Sequence, residues 1–236
     1  MLFKETVSPE LLKLLKELQA IPQLNDFRLV GGTSLALQLG HRKSIDIDLF
    51  ADRSIDKDSL PRLLYTNFPD LEIIKNTSFG FLTTIHNIKV DFCHDGGKFI
   101  RPIKTEAGIK MAALEDISAM KLGAILNRAV KKDFYDIAIL LDRFSIKDML
   151  GFYREKYPFV DARQALESFK KSYKADEEAA DKEKGLVTLN QLTWEQAKEK
   201  INKALTAYLD ELKNSREKEI QLRLSKAEKM LKKKKR

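Results

Sequence analysis

Three observations predict an α/β (α+β) fold, a small mixed sheet with flanking helices followed by a helical C-terminal portion. Short runs such as Ile88-Lys89-Val90-Asp91-Phe92-Cys93 alternate with the period of a strand. Helical spacing of apolar residues separates these runs, and from Leu114 onward it takes over. A glycine pair, Gly31-Gly32, follows the apolar Leu29-Val30 and precedes a helical stretch, as where a strand turns into a helix.

Taken in order, Ser8-Pro9-Glu10 supplies a cap and a first-turn proline for a helix with Leu11, Leu12, Leu15 and Leu18 on its apolar face, ending near Ile21-Pro22. Strands are expected at about 27–30 and 45–50, with a helix from Leu35 to Leu39 between them, capped by Thr33-Ser34. A helix over about 57–67 leads to strands near 71–75, 79–86 and 89–94. Helices then cover 114–127, 132–143, 146–156, 161–173 and, behind the cap Thr193, 194–212 or beyond. Residues 174–184, rich in Asp, Glu, Lys and Ala, read as a connector or an exposed helix end. Phe144, Phe152, Tyr153, Tyr157, Phe159, Phe169, Tyr173 and Trp194 read as helical core. The organisation expected is a sheet-bearing core over residues 1–110, a helical portion over 111–212 that completes the site, and a basic tail over 213–236.

Chemistry concentrates between Leu29 and Phe50. On a strand over 45–50, Ile45, Ile47 and Leu49 point into a core, while Asp46 and Asp48 project together from the other face. Two carboxylates on one small surface repel unless a cation sits between them, and hard oxygen ligands suit Mg²⁺ carrying a substrate phosphate. The backbone N–H groups of the helix after the glycines face an anion in the same picture. Gly40-His41-Arg42-Lys43-Ser44 is not the end of a Walker P-loop, because Arg42 stands before Lys43 and no glycine lies at the required upstream distance.

Gly31-Gly32-Thr33-Ser34-Leu35, followed by His41-Arg42-x-Ser44-x-Asp46-Ile47-Asp48-Leu49-Phe50, resembles the first motif of the DNA polymerase beta-like nucleotidyltransferase superfamily. The form is that of the AbiEii/AbiGii-type toxins of bacterial abortive-infection and toxin–antitoxin systems. Glu115-Asp116-Ile117-x-Ala119-Met120-Lys121-Leu122, then Arg128 and Lys132-Asp133-Phe134-Tyr135-Asp136-Ile137, is similar to the downstream signature of that family. The resemblance spans roughly residues 25–145. It implies a nucleotidyltransferase-like sheet and an enzyme that moves a nucleoside monophosphate from a nucleoside triphosphate to a hydroxyl of RNA, a tRNA end included, or of a protein. It further implies Mg²⁺ or Mn²⁺ and a cognate antitoxin as partner.

Carried over by position, Gly31, Gly32, Thr33, Ser34 and Arg42 would contact the triphosphate, and Asp46 and Asp48 would bind the metals. Lys121 would give the triphosphate a positive charge, and Asp136 would orient that lysine or the incoming substrate. Asp133 lies one helical turn from Asp136 and competes for the role. The wider superfamily often carries a third carboxylate on a neighbouring strand. Asp91 is the candidate, since Ile88, Val90 and Phe92 share the opposite face and leave it to join Asp46 and Asp48 as base and metal ligand. Its other reading is a solvated aspartate before the Asp95-Gly96-Gly97 turn.

Composition sets bounds. With 236 residues and 43% hydrophobic content the chain is long enough for a substantial core. No apolar run approaches the roughly 20 residues needed to span a bilayer, and Met1-Leu2-Phe3-Lys4-Glu5 does not begin a signal peptide, so a cytoplasmic protein without a membrane partner is expected. One cysteine, Cys93, forms no internal disulfide, and three histidines make a poor zinc set. The net charge of +8 sits entirely in residues 213–236, which hold 11 Lys or Arg against 3 Asp or Glu. Ile220, Leu224, Ala227 and Leu231 recur there at near-helical spacing before Lys232-Lys233-Lys234-Lys235-Arg236. That tail reads either as a grip for RNA phosphates or as a solvated terminus. The competing reading of the whole chain is a nucleotidyltransferase fold kept for binding nucleic acid or a partner, an antitoxin included.

Overall fold

Ser8 opens the first helix, α1 (Pro9–Ala20), by accepting a hydrogen bond from the Leu11 N–H, and Leu11, Leu14, Leu15 and Leu18 bury its apolar face. The computed structural model describes residues 1–128, 130–172 and 187–234. The expected connector at 174–184 lies outside the described residues, as do Tyr173, Lys235 and Arg236.

Among the described residues seven strands follow: β1 (Arg28–Leu29), β2 (Ile47–Phe50), β3 (Glu72–Thr77), β4 (Gly80–Ile85), β5 (Ile88–Cys93), β6 (Lys104–Glu106) and β7 (Ile109–Met111). They form one mixed sheet in the order β3-β4-β5-β2-β1-β7-β6. Its centre is the parallel pair β2 and β5, in a register that places Asp48 beside Asp91. Ile47, Leu49, Val90 and Phe92 are fully buried on one face, so the two aspartates stand side by side on the other. The β6–β7 hairpin was not among the expected strands. It turns at Ala107-Gly108, both at positive φ, and pairs β7 with β1. Buried Gln19 of α1 ties into it through the backbone N–H and C=O of Lys110.

Two expectations near the site are corrected. The second strand begins at Ile47, so Ile45 is 65% exposed instead of in the core, and Asp46 stands just before the strand. The helix after β1, α2 (Gly31–Leu39), starts at the first glycine with Val30 as its cap residue, so Thr33 and Ser34 lie inside its first turn and cap nothing.

The helices are α3 (Ser59–Asn67), α4 (Leu114–Asn127), α5 (Lys131–Leu140), α6 (Ile146–Lys156), α7 (Ala162–Ser168) and α8 (Trp194–Lys234). Thr193 caps α8, accepting from the Gln196 N–H. Buried apolar side chains fall into two clusters. One joins α1, the sheet and α3, and the other joins Val30, Leu35 and Ala112 to α4 through α8. Ala197 and Ile201 bury the start of α8, whereas Leu209, Leu212, Ile220 and Leu222 are exposed, so the helix runs out beyond the body. The side chains of Leu224, Ala227 and Leu231 lie outside the described residues. Phe159, expected in the core, is fully exposed in the turn after α6.

Candidate active site

The parallel pair β2 and β5 delivers Asp48 and Asp91 to one wall of a cleft of about 630 Å³, and α4 supplies Lys121, Asn127 and the following Arg128 on the other. Burial and the neighbouring Asp91 push the Asp48 carboxyl up to about 6. Burial raises Asp91 as well, against the pull of Lys89, whose ammonium lies 2.8 Å from Asp91 Oδ2. Asp91 Oδ1 is buried without a hydrogen-bond partner.

Gly31 is required where it stands. Its φ is +65°, and a Cβ there would come within 2.1 Å of Asp48 Oδ2. The cradle thus brings the α2 N-terminus directly against the acid. That helix end has no side-chain cap, which leaves first-turn N–H groups for an anion.

Lys121 is 6% exposed and lies 2.8 Å from Asp133 Oδ1 and 2.5 Å from Asp136 Oδ2. Burial works against its charge, but the two aspartates outweigh it and hold the ammonium above its usual value. Asp136 is fully buried and also accepts from Arg42 Nε and Nη2, at 2.6 and 2.9 Å, and lies 2.8 Å from His41 Nε2. Burial works against its charge, but the Lys121 and Arg42 cations, with the hydrogen bonds of Arg42 and His41, outweigh it and keep its carboxyl well below the usual range. Asp133 is equally buried and pairs with Lys121 and with Arg128 Nε at 2.7 Å. Both acids of α5 therefore face the cations of the site, Asp136 behind Lys121 and Asp133 between Lys121 and Arg128.

The other predicted residues lie behind the cleft surface. Arg42 is 5% exposed with its guanidinium spanning both Asp136 oxygens, and a Cβ on Gly32 would strike it at 2.0 Å. The buried Thr33 hydroxyl hydrogen-bonds Ser44 Oγ at 2.7 Å and the Asp46 carbonyl, pinning the loop that delivers Asp46. Buried Ser34 accepts from Gln38. Neither hydroxyl lines the cleft. Asp116 of the second motif block accepts from the Ile100 and Arg101 N–H groups and so ties the incoming loop to α4. Tyr153 is buried in the core as read and Tyr157 packs against it, and both also line the cleft's far part, where the Tyr157 hydroxyl donates to Asp95.

Among the described residues no three His, Cys, Asp or Glu side chains form a ready-made metal cage. Asp48 and Asp91, whose Oδ1 is buried without a hydrogen-bond partner, instead form an incomplete carboxylate set that would suit Mg²⁺, whose shell substrate phosphates and water complete. Asp46 adds negative charge nearby, enough to raise Asp48 further. Sequence reasoning had not singled out Lys89 or assigned a role to Arg128. The signal for Lys89 was its two-residue spacing from Asp91 on a strand, which puts both on one face.

A mixed sheet with two acids on its central parallel pair, a glycine-led helix against them and a buried cation opposite defines the nucleotidyltransferase fold. JHP933 from Helicobacter pylori superposes with a TM-score of 0.56 at 17% identity, over 92% of this chain and 99% of its own. A second H. pylori structure, described provisionally as a nucleotidyltransferase, superposes at 0.53 with 16% identity, over 87% of this chain and 94% of that one. An uncharacterised protein of Aquifex aeolicus, aq_aa25, is 34% identical over 152 residues, which are 58% of this chain and 69% of that protein. The family model for the nucleotidyl transferase AbiEii toxin of type IV toxin–antitoxin systems matches residues 13–226. The chain belongs to the AbiEii nucleotidyltransferase toxin family.

Proposed function

We propose that the chain transfers a nucleoside monophosphate from a nucleoside triphosphate to a hydroxyl of RNA, with Mg²⁺ or Mn²⁺, as the toxin of a pair restrained by a cognate antitoxin in the cytoplasm. The supporting observation is the register that sets Asp48 beside Asp91, facing Lys121 and Arg128 across the cleft. When bound, the divalent ions neutralise phosphate charge and activate the attacking oxygen.

In this reading Asp48 and Asp91 would hold the ions, with Asp46 beside them, and Asp91 would also receive the proton of the acceptor hydroxyl. Gly31 and Gly32 present N–H groups to the phosphates. Lys121 and Arg128 add positive charge where pyrophosphate departs. Asp133 and Asp136 are positioning residues that fix those cations, and Arg42, Thr33 and Ser34 hold the frame from behind. Residues 1–110 then supply the acids, 111–212 the cations, and 213–236 a basic arm. The arm favours RNA over a protein acceptor, because the net positive charge of residues 213–236 draws phosphates.

The test is label transfer from each α-³²P nucleoside triphosphate with Mg²⁺, offering total RNA or cell protein, beside an Asp46→Ala/Asp48→Ala double variant. Label in RNA with the wild type alone supports the proposal, and label in protein changes the acceptor class. No transfer and no triphosphate binding by the folded chain would leave a binding module in its place.

A further inference from the structure

Lys89 belongs to neither motif block, yet it shares the acidic face. Val90 and Phe92 are fully buried, so Lys89 and Asp91 project together from the opposite side of β5. The Lys89 ammonium lies 2.8 Å from Asp91 Oδ2, while Asp91 Oδ1 has no partner. Asp48 is Asp91's neighbour in register, and Gly31 closes against its Oδ2. The other cations in reach are committed elsewhere: Lys121 to Asp133 and Asp136, and Arg128 to Asp133. Among the described residues, Lys89 is thus the cation that pairs directly with one of the two adjacent carboxylates. Its side chain is 40% exposed on a flexible stem, so it can leave for water at small cost.

We infer that Lys89 is a tethered counter-cation, which pairs with Asp91 while no divalent ion is bound and swings aside when one enters, thereby setting the metal affinity of the site. The inference rests on reading Asp48 and Asp91 as metal ligands. A cation arriving at Asp91 must displace the ammonium and then tolerate its repulsion, so the resting site binds free ions weakly. Demand for the metal then rises when phosphate oxygens arrive to complete the shell.

The experiment is Mn²⁺ binding to the full chain without nucleotide, read by the electron paramagnetic resonance signal of free Mn²⁺, for wild type, Lys89→Met, Lys89→Gln, Lys89→Arg and Asp48→Asn. The neutral variants at position 89 should bind Mn²⁺ on the order of tenfold more tightly than wild type. Lys89→Arg should stay near wild type, and Asp48→Asn should lose binding. Mn²⁺ should also raise the Tm of Lys89→Met further than that of wild type. Unchanged or weaker binding by both neutral variants, with Asp48→Asn still deficient, overturns the role of Lys89 and leaves the metal site standing. Absence of Mn²⁺ binding in every protein, wild type included, overturns both.

Discussion

Replacing Asp136 by Asn removes one negative charge from a cluster sealed inside the protein while keeping its size. The carboxylate has no exposed surface and meets Arg42, Lys121 and His41 at 2.5 to 2.9 Å. Arg42 and Lys121 are 5% and 6% exposed, and the remaining acid, Asp133, already serves Arg128 as well. The variant therefore buries an uncompensated positive charge, which costs about 3–5 kcal/mol. For a chain of this length Tm should fall by about 6–20 °C. A carboxyl held below its unfolded value contributes stability above that value and loses it as pH falls through the folded one. The gap between wild type and Asp136→Asn, measured by urea unfolding, should be widest at neutral pH and narrow as pH drops below about 5. A variant within about 1 kcal/mol of wild type at pH 7 would refute the buried-cluster argument. A stable but inactive variant would move Asp136 to the substrate side of the site.

Asp48 works with the opposite sign, because its folded pKa of about 6 lies above the unfolded value. Its ionisation costs metal-free stability as pH rises past about 4, so Asp48→Asn should stabilise the metal-free chain by about 1–3 kcal/mol at pH 8 and by little at pH 3, read by thermal unfolding. Mn²⁺ affinity of the wild type should fall as pH drops below 6, measured by titration across pH 5 to 8. Gly31→Ala forces a Cβ onto Asp48 Oδ2 at a positive φ and should lower nucleotidyl transfer at least tenfold for about 1 kcal/mol of stability. Unchanged transfer rates would show that the Gly31 contact is dispensable. Changing Lys213, Arg216, Lys218 and Arg223 to Gln should flatten the salt dependence of RNA binding by up to about 3 in the log–log slope, followed by fluorescence anisotropy. An identical slope would show that these four side chains take no part in holding RNA.

Local chemistry made much of this molecule legible in its sequence. The bounds of α4 and α6, the Ser8 and Thr193 caps and the strand character of residues 88–93 followed from periodicity and cap residues, which act within a few positions. Asp48 and Asp91 could be placed on the polar faces of their strands because a strand alternates every residue. The β6–β7 hairpin carries little local signal because its strands are three residues each and only β7 is held against β1. Residues 31–34 read as a turn and a cap, but α2 begins at Gly31, where the left-handed φ and the close Asp48 let the helix start a turn early.

By itself the sequence determined the fold class, the family blocks and the acids and lysine that mark the cleft, since each is encoded in spacing along one stretch of chain. Only the tertiary structure decided which of those side chains meet. Asp48 and Asp91 are 43 positions apart, and Asp136 lies 94 from Arg42, so strand pairing and helix packing alone fix those contacts. The same packing turned Arg42, Thr33 and Ser34 inward. Buried charges must be matched where the chain folds back on itself, and that matching is a property of distance in space.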